Sequence, residues 1–133
     1  MIYGIGTDII EVKRIEQAIA RLGQRFLDRI FSPKEQAYCL RHRLAAPHFA
    51  ARFAAKEAAV KALGTGFQKG IHWLDIEIVH DQYGKPNIQL SAKLQERFDS
   101  PQLHLSLSHC REYATAFVIW LQPEFEILPH IKK

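Results

Sequence analysis

The chain contains little cysteine: two residues among 133, Cys39 and Cys110. They form no C-x-x-C pair and follow no regular spacing, which excludes a disulfide framework and points to a reducing compartment. Long hydrophobic runs are also missing. The longest apolar stretch, Tyr113 to Leu121, is half the ~20 residues that a membrane-spanning helix requires. The N-terminus, Met1-Ile2-Tyr3-Gly4-Ile5-Gly6-Thr7-Asp8, has no basic leader and meets an acid early, so it is not a signal peptide. These absences predict a soluble, cytoplasmic protein without a membrane partner. There is no strong excess of either charge: 18 Lys+Arg against 14 Asp+Glu leave +4. That permits an anionic partner but falls far short of a nucleic-acid-binding tail.

What is present suits one small globule. Hydrophobic residues make up 47% and charged residues 24%, near the globular norm, so wholesale disorder is excluded. A chain of this length buries roughly two-thirds of its unfolded surface in one domain, and needs no disulfide or structural metal to hold it. No internal repeat or interior linker interrupts it.

Ile2 to Ile10 is isoleucine-rich and interrupted by Gly4 and Gly6. At a period of two, Gly4, Gly6 and Asp8 share one face, and such glycines mark close approach of a backbone or ligand. Val12, Ile15, Ile19 and Leu22 recur at helical spacing and stop at Gly23, and Phe26 to Phe31 continue as a second helical segment. Ser32-Pro33-Lys34-Glu35 is a capping box with proline in the first turn. Pro47 opens the longest helix, whose seven alanines run through to Leu63 before Gly64 ends it. Ile71 to Val79 and Asn87 to Leu90 are expected to be strands around an Asp81–Pro86 turn, and Ser91 caps a short helix. Leu103 to His109 and Tyr113 to Leu121 are expected to form a last antiparallel pair. The sum is a single α+β domain: a mostly antiparallel sheet packed with a long central helix.

Several residues carry possible chemistry. Phe53, Lys56, Glu57, Val60 and Lys61 follow helical spacing and are expected on one face. By spacing alone the commoner interpretation is a solvated Glu57/Lys61 pair. Asp8 ends an apolar strand, where a carboxylate needs a cation, a helix to cap, or a metal. Two carboxylates without His or Cys beside them suit Mg²⁺. Zinc fits poorly, because the seven histidines are scattered. Leu103 to His109 alternates strictly, putting His104, Ser106 and Ser108 on one face, either a solvated strand surface or a polar floor for an anion. Same-face neighbours stand ~7 Å apart, too far for a Ser–His nucleophile pair. Gly64 to Gly70 matches no phosphate-loop pattern. Arg14, Arg21 and Arg25 form a basic ridge, either merely solvated or suited to an acidic protein.

Taken together, the segments resemble the holo-acyl-carrier-protein synthase family of 4′-phosphopantetheinyl transferases. The matching blocks are Ile5-Gly6-Thr7-Asp8-Ile9, the run Arg52-Phe53-Ala54-Ala55-Lys56-Glu57-Ala58-Ala59-Val60-Lys61-Ala62-Leu63-Gly64-Thr65-Gly66, then Asp81-x-x-Gly84-Lys85-Pro86 and His104 to His109. They stand in the family's order within residues 2–121. The resemblance implies a transferase domain over residues 1–121 and a tail over 122–133 without an assigned role. It implies transfer of 4′-phosphopantetheine from coenzyme A to a serine of apo-acyl carrier protein, in fatty acid biosynthesis, with release of adenosine 3′,5′-bisphosphate. Mg²⁺ and a homotrimer with active sites between subunits are implied too. By the same carry-over Asp8 and Glu57 would bind the metal, and Glu57 and Lys61 would act in catalysis. Arg52, Lys56, Lys61, Gly84, Lys85, Pro86 and His104 would contact coenzyme A, and Arg14, with Arg21 and Arg25, would dock the carrier. The general base stays open between Glu57 and a water. A small basic RNA- or nucleotide-binding module is the alternative, disfavoured by missing RNA-binding aromatics and modest charge. An inactive structural trimer is disfavoured by the intact acidic pair.

Overall fold

The structure is a computed structural model that describes residues 1–67 and 70–122; the expected tail beyond Gln122 lies outside the described residues. Strand β1 (Ile2–Glu11) leads into helices α1 (Val12–Leu22), α2 (Gln24–Ile30), α3 (Pro33–Leu40) and α4 (Ala46–Leu63). A 3-10 turn at Trp73–Asp75 precedes strands β2 (Ile76–His80) and β3 (Pro86–Leu90), then α5 (Ala92–Arg97), β4 (Gln102–His109) and β5 (Tyr113–Leu121). Strands β1, β5 and β4 form one antiparallel sheet in that order, while β2 and β3 form a separate hairpin.

Local signals explain most boundaries. Helices α1 and α2 are parted by Gly23, at φ 66° and ψ −142°, a conformation that a Cβ makes costly. The capping box of α3 is formed in both directions: Glu35 N donates to Ser32 Oγ at 3.2 Å, and Ser32 N donates to Glu35 Oε1 at 2.7 Å. Helix α4 ends at Gly64 in the left-handed region, with φ 82°. One expectation fails: residues 71–75 are not strand. His72 N donates to the Asp75 carboxylate at 2.9 Å and closes the 3-10 turn, so pairing starts only at Ile76.

Helix α4 lies against the inner face of the three-stranded sheet. Its alanines 54, 55, 58, 59 and 62 pack with Ala116 and Val118 of β5 in one continuous core. Contact with β1 is closer still. A Cβ on Gly4 would collide with the carbonyl oxygen of Ala62, and one on Gly6 with that of Ala58. The expected close approach is therefore of helix backbone against strand backbone. A second apolar cluster, including Val12, Ile15, Leu27, Phe31 and Phe49, joins α1, α2 and α3 to the start of α4.

A buried ion pair ties these layers together. Lys56 and Glu35 have wholly buried side chains 2.8 Å apart. Lys56 Nζ also donates to the carbonyls of Ile30 at 2.6 Å and Trp73 at 3.3 Å. Glu35 accepts in turn from Ile78 N at 2.7 Å. Every polar valence of the pair is thus turned inward, as a buried pair requires. Among the described residues nothing covers the sheet's other face. Ile5, Ile9 and Phe117 are 55%, 64% and 42% exposed there, beside exposed His104, Ser106 and Ser108.

Substituting Gly6→Ala forces α4 off the strand. The expected cost is about 2–3 kcal/mol, read as a fall of roughly 10 °C in Tm. An unchanged thermal midpoint would contradict backbone-to-backbone seating.

Candidate active site

Seating α4 on β1 brings three charged side chains to one place. Asp8 lies on the inward side of β1 with Gly4 and Gly6, and Lys61 stands near the end of α4. Lys61 Nζ donates to Asp8 Oδ1 at 3.1 Å and to the Thr7 carbonyl at 2.9 Å. The lysine therefore pairs across elements instead of forming the i,i+4 pair with Glu57. Asp8 does not cap the next helix, where Glu11 occupies the N-cap position.

Glu57 sits one turn before Lys61 and shares a cleft of about 360 Å³ with Asp8. Burial pushes the Glu57 carboxyl above its ordinary pKa, and the charge of Asp8 pushes it further the same way, while Lys61 pulls it down. Two acids thus repel across a partly desolvated gap that one exposed lysine only partly neutralises. Among the described residues no group of three or more His, Cys, Asp or Glu converges to cage a metal ion. A two-carboxylate set fits a hard divalent cation that completes its shell with water and phosphate oxygens. The remaining wall is mostly apolar, formed by Ile15 and Ala18 of α1, Phe26 of α2 and Phe53 of α4. Arg14 stands at the cleft, and Arg14, Arg21 and Arg25 are all exposed.

A larger cavity of about 810 Å³ lies against a different face of α1, through Val12 and Glu16, with His42, Arg43, His48 and His109 among its lining residues. It contains no carboxylate pair, so the chemistry favours the smaller cleft.

Two expected phosphate ligands turn inward instead. Lys56 is committed to Glu35, and Arg52 is only 3% exposed. Arg52 donates to the His48 carbonyl at 3.2 Å, lies over the Tyr38 ring at 4.4 Å and meets His80 Nε2. Since a guanidinium can only donate, His80 must present a lone pair there. Both cations therefore correct the expectation: in this chain they are core groups. Consecutive helix residues diverge by ~100°, so Lys56 and Val60 enter the core while Phe53, Glu57 and Lys61 follow the open side.

The hairpin residues Gly84, Lys85 and Pro86 lie at the β2–β3 tip, where Asp81 Oδ1 accepts from Tyr83 N at 2.8 Å and Lys85 N at 2.9 Å. His104 faces the uncovered side of the sheet, in register with Ile119 and Ile5. Asp8 faces the opposite side, so the sheet separates these two. The apolar wall of Ile15, Ala18 and Phe26 was missed by sequence reasoning, because Ile15 and Phe26 count there simply as apolar helix positions and Ala18 carries no signal. Glu35 was missed as the partner of Lys56, since 21 residues separate them.

Comparison with known proteins agrees with this geometry. A family model described as the 4′-phosphopantetheinyl transferase superfamily matches residues 4–118. The chain belongs to this superfamily. It is 57% identical over 120 residues to a holo-acyl-carrier-protein synthase of Protochlamydia amoebophila, covering 90% of this chain and 98% of that relative. It also superposes on the crystal structure of a holo-acyl-carrier-protein synthase from Neisseria meningitidis with a TM-score of 0.83 and 38% identity, over 92% of this chain and 100% of that one. The Helicobacter pylori synthase in complex with coenzyme A gives a TM-score of 0.81 and 36% identity, over 88% and 99%. No described helix is long and apolar enough to cross a membrane.

The aromatic and histidine cluster around Arg52 has a pH consequence. Tyr38 and His80 stack at 3.9 Å, and His42 and His48 at 3.6 Å. Burial first, then neighbouring positive groups, pushes His48 and His80 down from 6.5 to about 4. Both rings stay neutral in the fold, whereas the unfolded chain takes up protons below pH 6.5. Stability is thus full above the unfolded pKa and declines as pH falls towards the folded one. Thermal melts should fall from pH 6.5 to about 4, and the double substitution His48→Gln, His80→Gln should flatten that slope. An equally steep slope in the variant would place the acid sensitivity elsewhere.

Proposed function

We propose that this chain transfers the 4′-phosphopantetheine group of coenzyme A to a serine of apo-acyl carrier protein, releasing adenosine 3′,5′-bisphosphate. The role is in cytoplasmic fatty acid biosynthesis, and the transferase unit comprises residues 1–121. The observation that carries this reading is the meeting of Asp8, Glu57 and Lys61 at a cleft that Arg14 also lines. The synthase relative and the coenzyme A complex of a 36%-identical neighbour support it.

Asp8 and Glu57 would hold Mg²⁺, which when bound supplies charge neutralisation on the diphosphate oxygens. Their repulsion, only partly relieved by Lys61, is the feature a divalent cation suits. Lys61, 51% exposed at its side chain and anchored on Asp8, adds a second positive charge beside the leaving diphosphate oxygen. The attacking serine must lose its proton in this cleft. Lys61 engages Asp8, and the proton passes to Glu57 or to a water in the cleft. The apolar wall from Ile15 to Phe53 lowers the polarity around the reacting groups. Arg14, Arg21 and Arg25 offer an exposed basic ridge to an acidic carrier, with association that weakens as salt rises.

Gly84, Lys85, Pro86 and His104 reach the ligand from a neighbouring copy in this reading. The uncovered apolar side of the sheet supports a homotrimer, since exposed Ile5, Ile9 and Phe117 want covering.

Incubation with coenzyme A, Mg²⁺ and apo-carrier, followed by weighing the carrier, tests the reaction directly. Asp8→Asn and Glu57→Gln should each lower the rate by about 10²-fold or more with the melting profile retained. Ordinary activity in either at ordinary Mg²⁺ would remove the metal assignment. Arg14→Glu should raise the KM for carrier about tenfold while leaving the KM for coenzyme A unchanged. Equal losses for both substrates would point to a folding defect.

A further inference from the structure

The rings of Phe53, Phe67 and Trp73 form a ladder from three separate stretches of chain. Trp73 stacks on Phe67 with centroids 3.8 Å apart and planes at 23°. It stacks on Phe53 at 4.9 Å and 27°. The two outer rings bracket the working part of α4. Phe53 precedes Glu57 by one helical turn and forms part of the cleft wall. Phe67 follows Lys61, just past the helix end at Gly64.

Trp73 itself is anchored from behind. Its carbonyl accepts from the buried Lys56 ammonium at 3.3 Å, and it lies in the 3-10 turn closed by Asp75. The ladder also spans the two apolar cores: Phe67 packs against the first, and Phe53 and Trp73 pack against the second. Beyond Lys61 the helix end is closed by backbone bonds, Gly64 N to Lys61 O and Thr65 N to Val60 O at 3.1 Å and Gly66 N to Val60 O at 3.5 Å. Stacking holds a ring in both distance and angle, which simple burial does not.

We propose that Trp73 is a positioning residue for the transfer reaction, setting Glu57 and Lys61 through its stacks on Phe53 and Phe67. It touches no reacting atom. By joining a ring one turn before Glu57 to a ring just after Lys61, it restrains the rotation and the end of the helix that presents them. The inference rests on the proposed roles of Glu57 and Lys61. Misplacement of groups that act only in the transition state lowers turnover more than binding.

The test compares the full chain with Trp73→Ala, Trp73→Phe and Phe67→Ala, each first checked by circular dichroism and thermal melting. With both substrates saturating, Trp73→Ala should lose about tenfold in kcat, the worth of two stacks. Phe67→Ala, which removes one rung, should lose about threefold. Trp73→Phe, which keeps a stacking ring, should restore most of the turnover. The KM for carrier and the calorimetric affinity for coenzyme A should stay at wild-type values in all three. Wild-type kcat in Trp73→Ala, or losses shared equally by kcat, carrier KM and coenzyme A affinity, would overturn the proposal. If Trp73→Ala does not fold, Phe67→Ala decides, and wild-type kcat there overturns it equally. Glu57→Gln run alongside separates the two levels. Activity in that variant sinks the reading of the site itself, whereas an inactive Glu57→Gln beside a fully active Trp73→Ala sinks only the positioning role.

Discussion

Everything in the site depends on how closely one helix backbone lies on one strand. Gly4 and Gly6 leave no side chain between β1 and α4, so the Ala58 and Ala62 carbonyls sit where Cβ atoms would otherwise be. That approach carries Asp8 to Lys61 at 3.1 Å and sets Glu57 in the same cleft. A helix held one side chain further away would leave Asp8 as a lone half-buried carboxylate, which is costly. Packing and chemistry are here one constraint: the small residues that let two backbones meet also bring three charges within reach.

The buried cations extend this logic. Lys56 and Arg52 lie beside the site in sequence yet spend their charge on the fold. Lys56 gathers the end of α2, the start of α3, the 3-10 turn and, through Glu35, strand β2. Removing one member of such a pair costs about 3–5 kcal/mol, because the other is left charged and unpartnered. Arg52 does similar work without an acid, using a carbonyl, an imidazole and a phenol face. Alanine along the rest of α4 makes a thin helix, and these two long side chains span the space that alanine leaves open.

Local signals in the sequence were legible because their partners are near in the chain. The capping box of α3, the end of α4 at Gly64 and the inward set Gly4, Gly6 and Asp8 each follow from neighbouring residues or a simple period. Residues 71–75 misled because apolar alternation resembles a strand, and only the bond from His72 N to Asp75 reveals a 3-10 turn. Lys56 misled for a different reason. Helical spacing groups it with Glu57 and Lys61, but α4 is buried on most sides, so neighbouring positions enter different environments. The family blocks made Asp8 and Glu57 visible as a pair; the walls supplied by Ile15, Ala18 and Phe26 carry no such signature.

One strand pairing also bears on the proposed trimer. Asp8 and His104 face opposite sides of the same three-stranded sheet, and side chains on opposite faces of a sheet cannot converge on one small ligand. If both serve one coenzyme A, they must belong to different copies. The outer face bears Ile5, Ile9 and Phe117 beside His104, so the exposed apolar surface is also the one that presents His104. A single association would then cover the patch and complete the catalytic set. The 133-residue chain is large enough to fold alone, and the proposed site draws on both sides of one sheet.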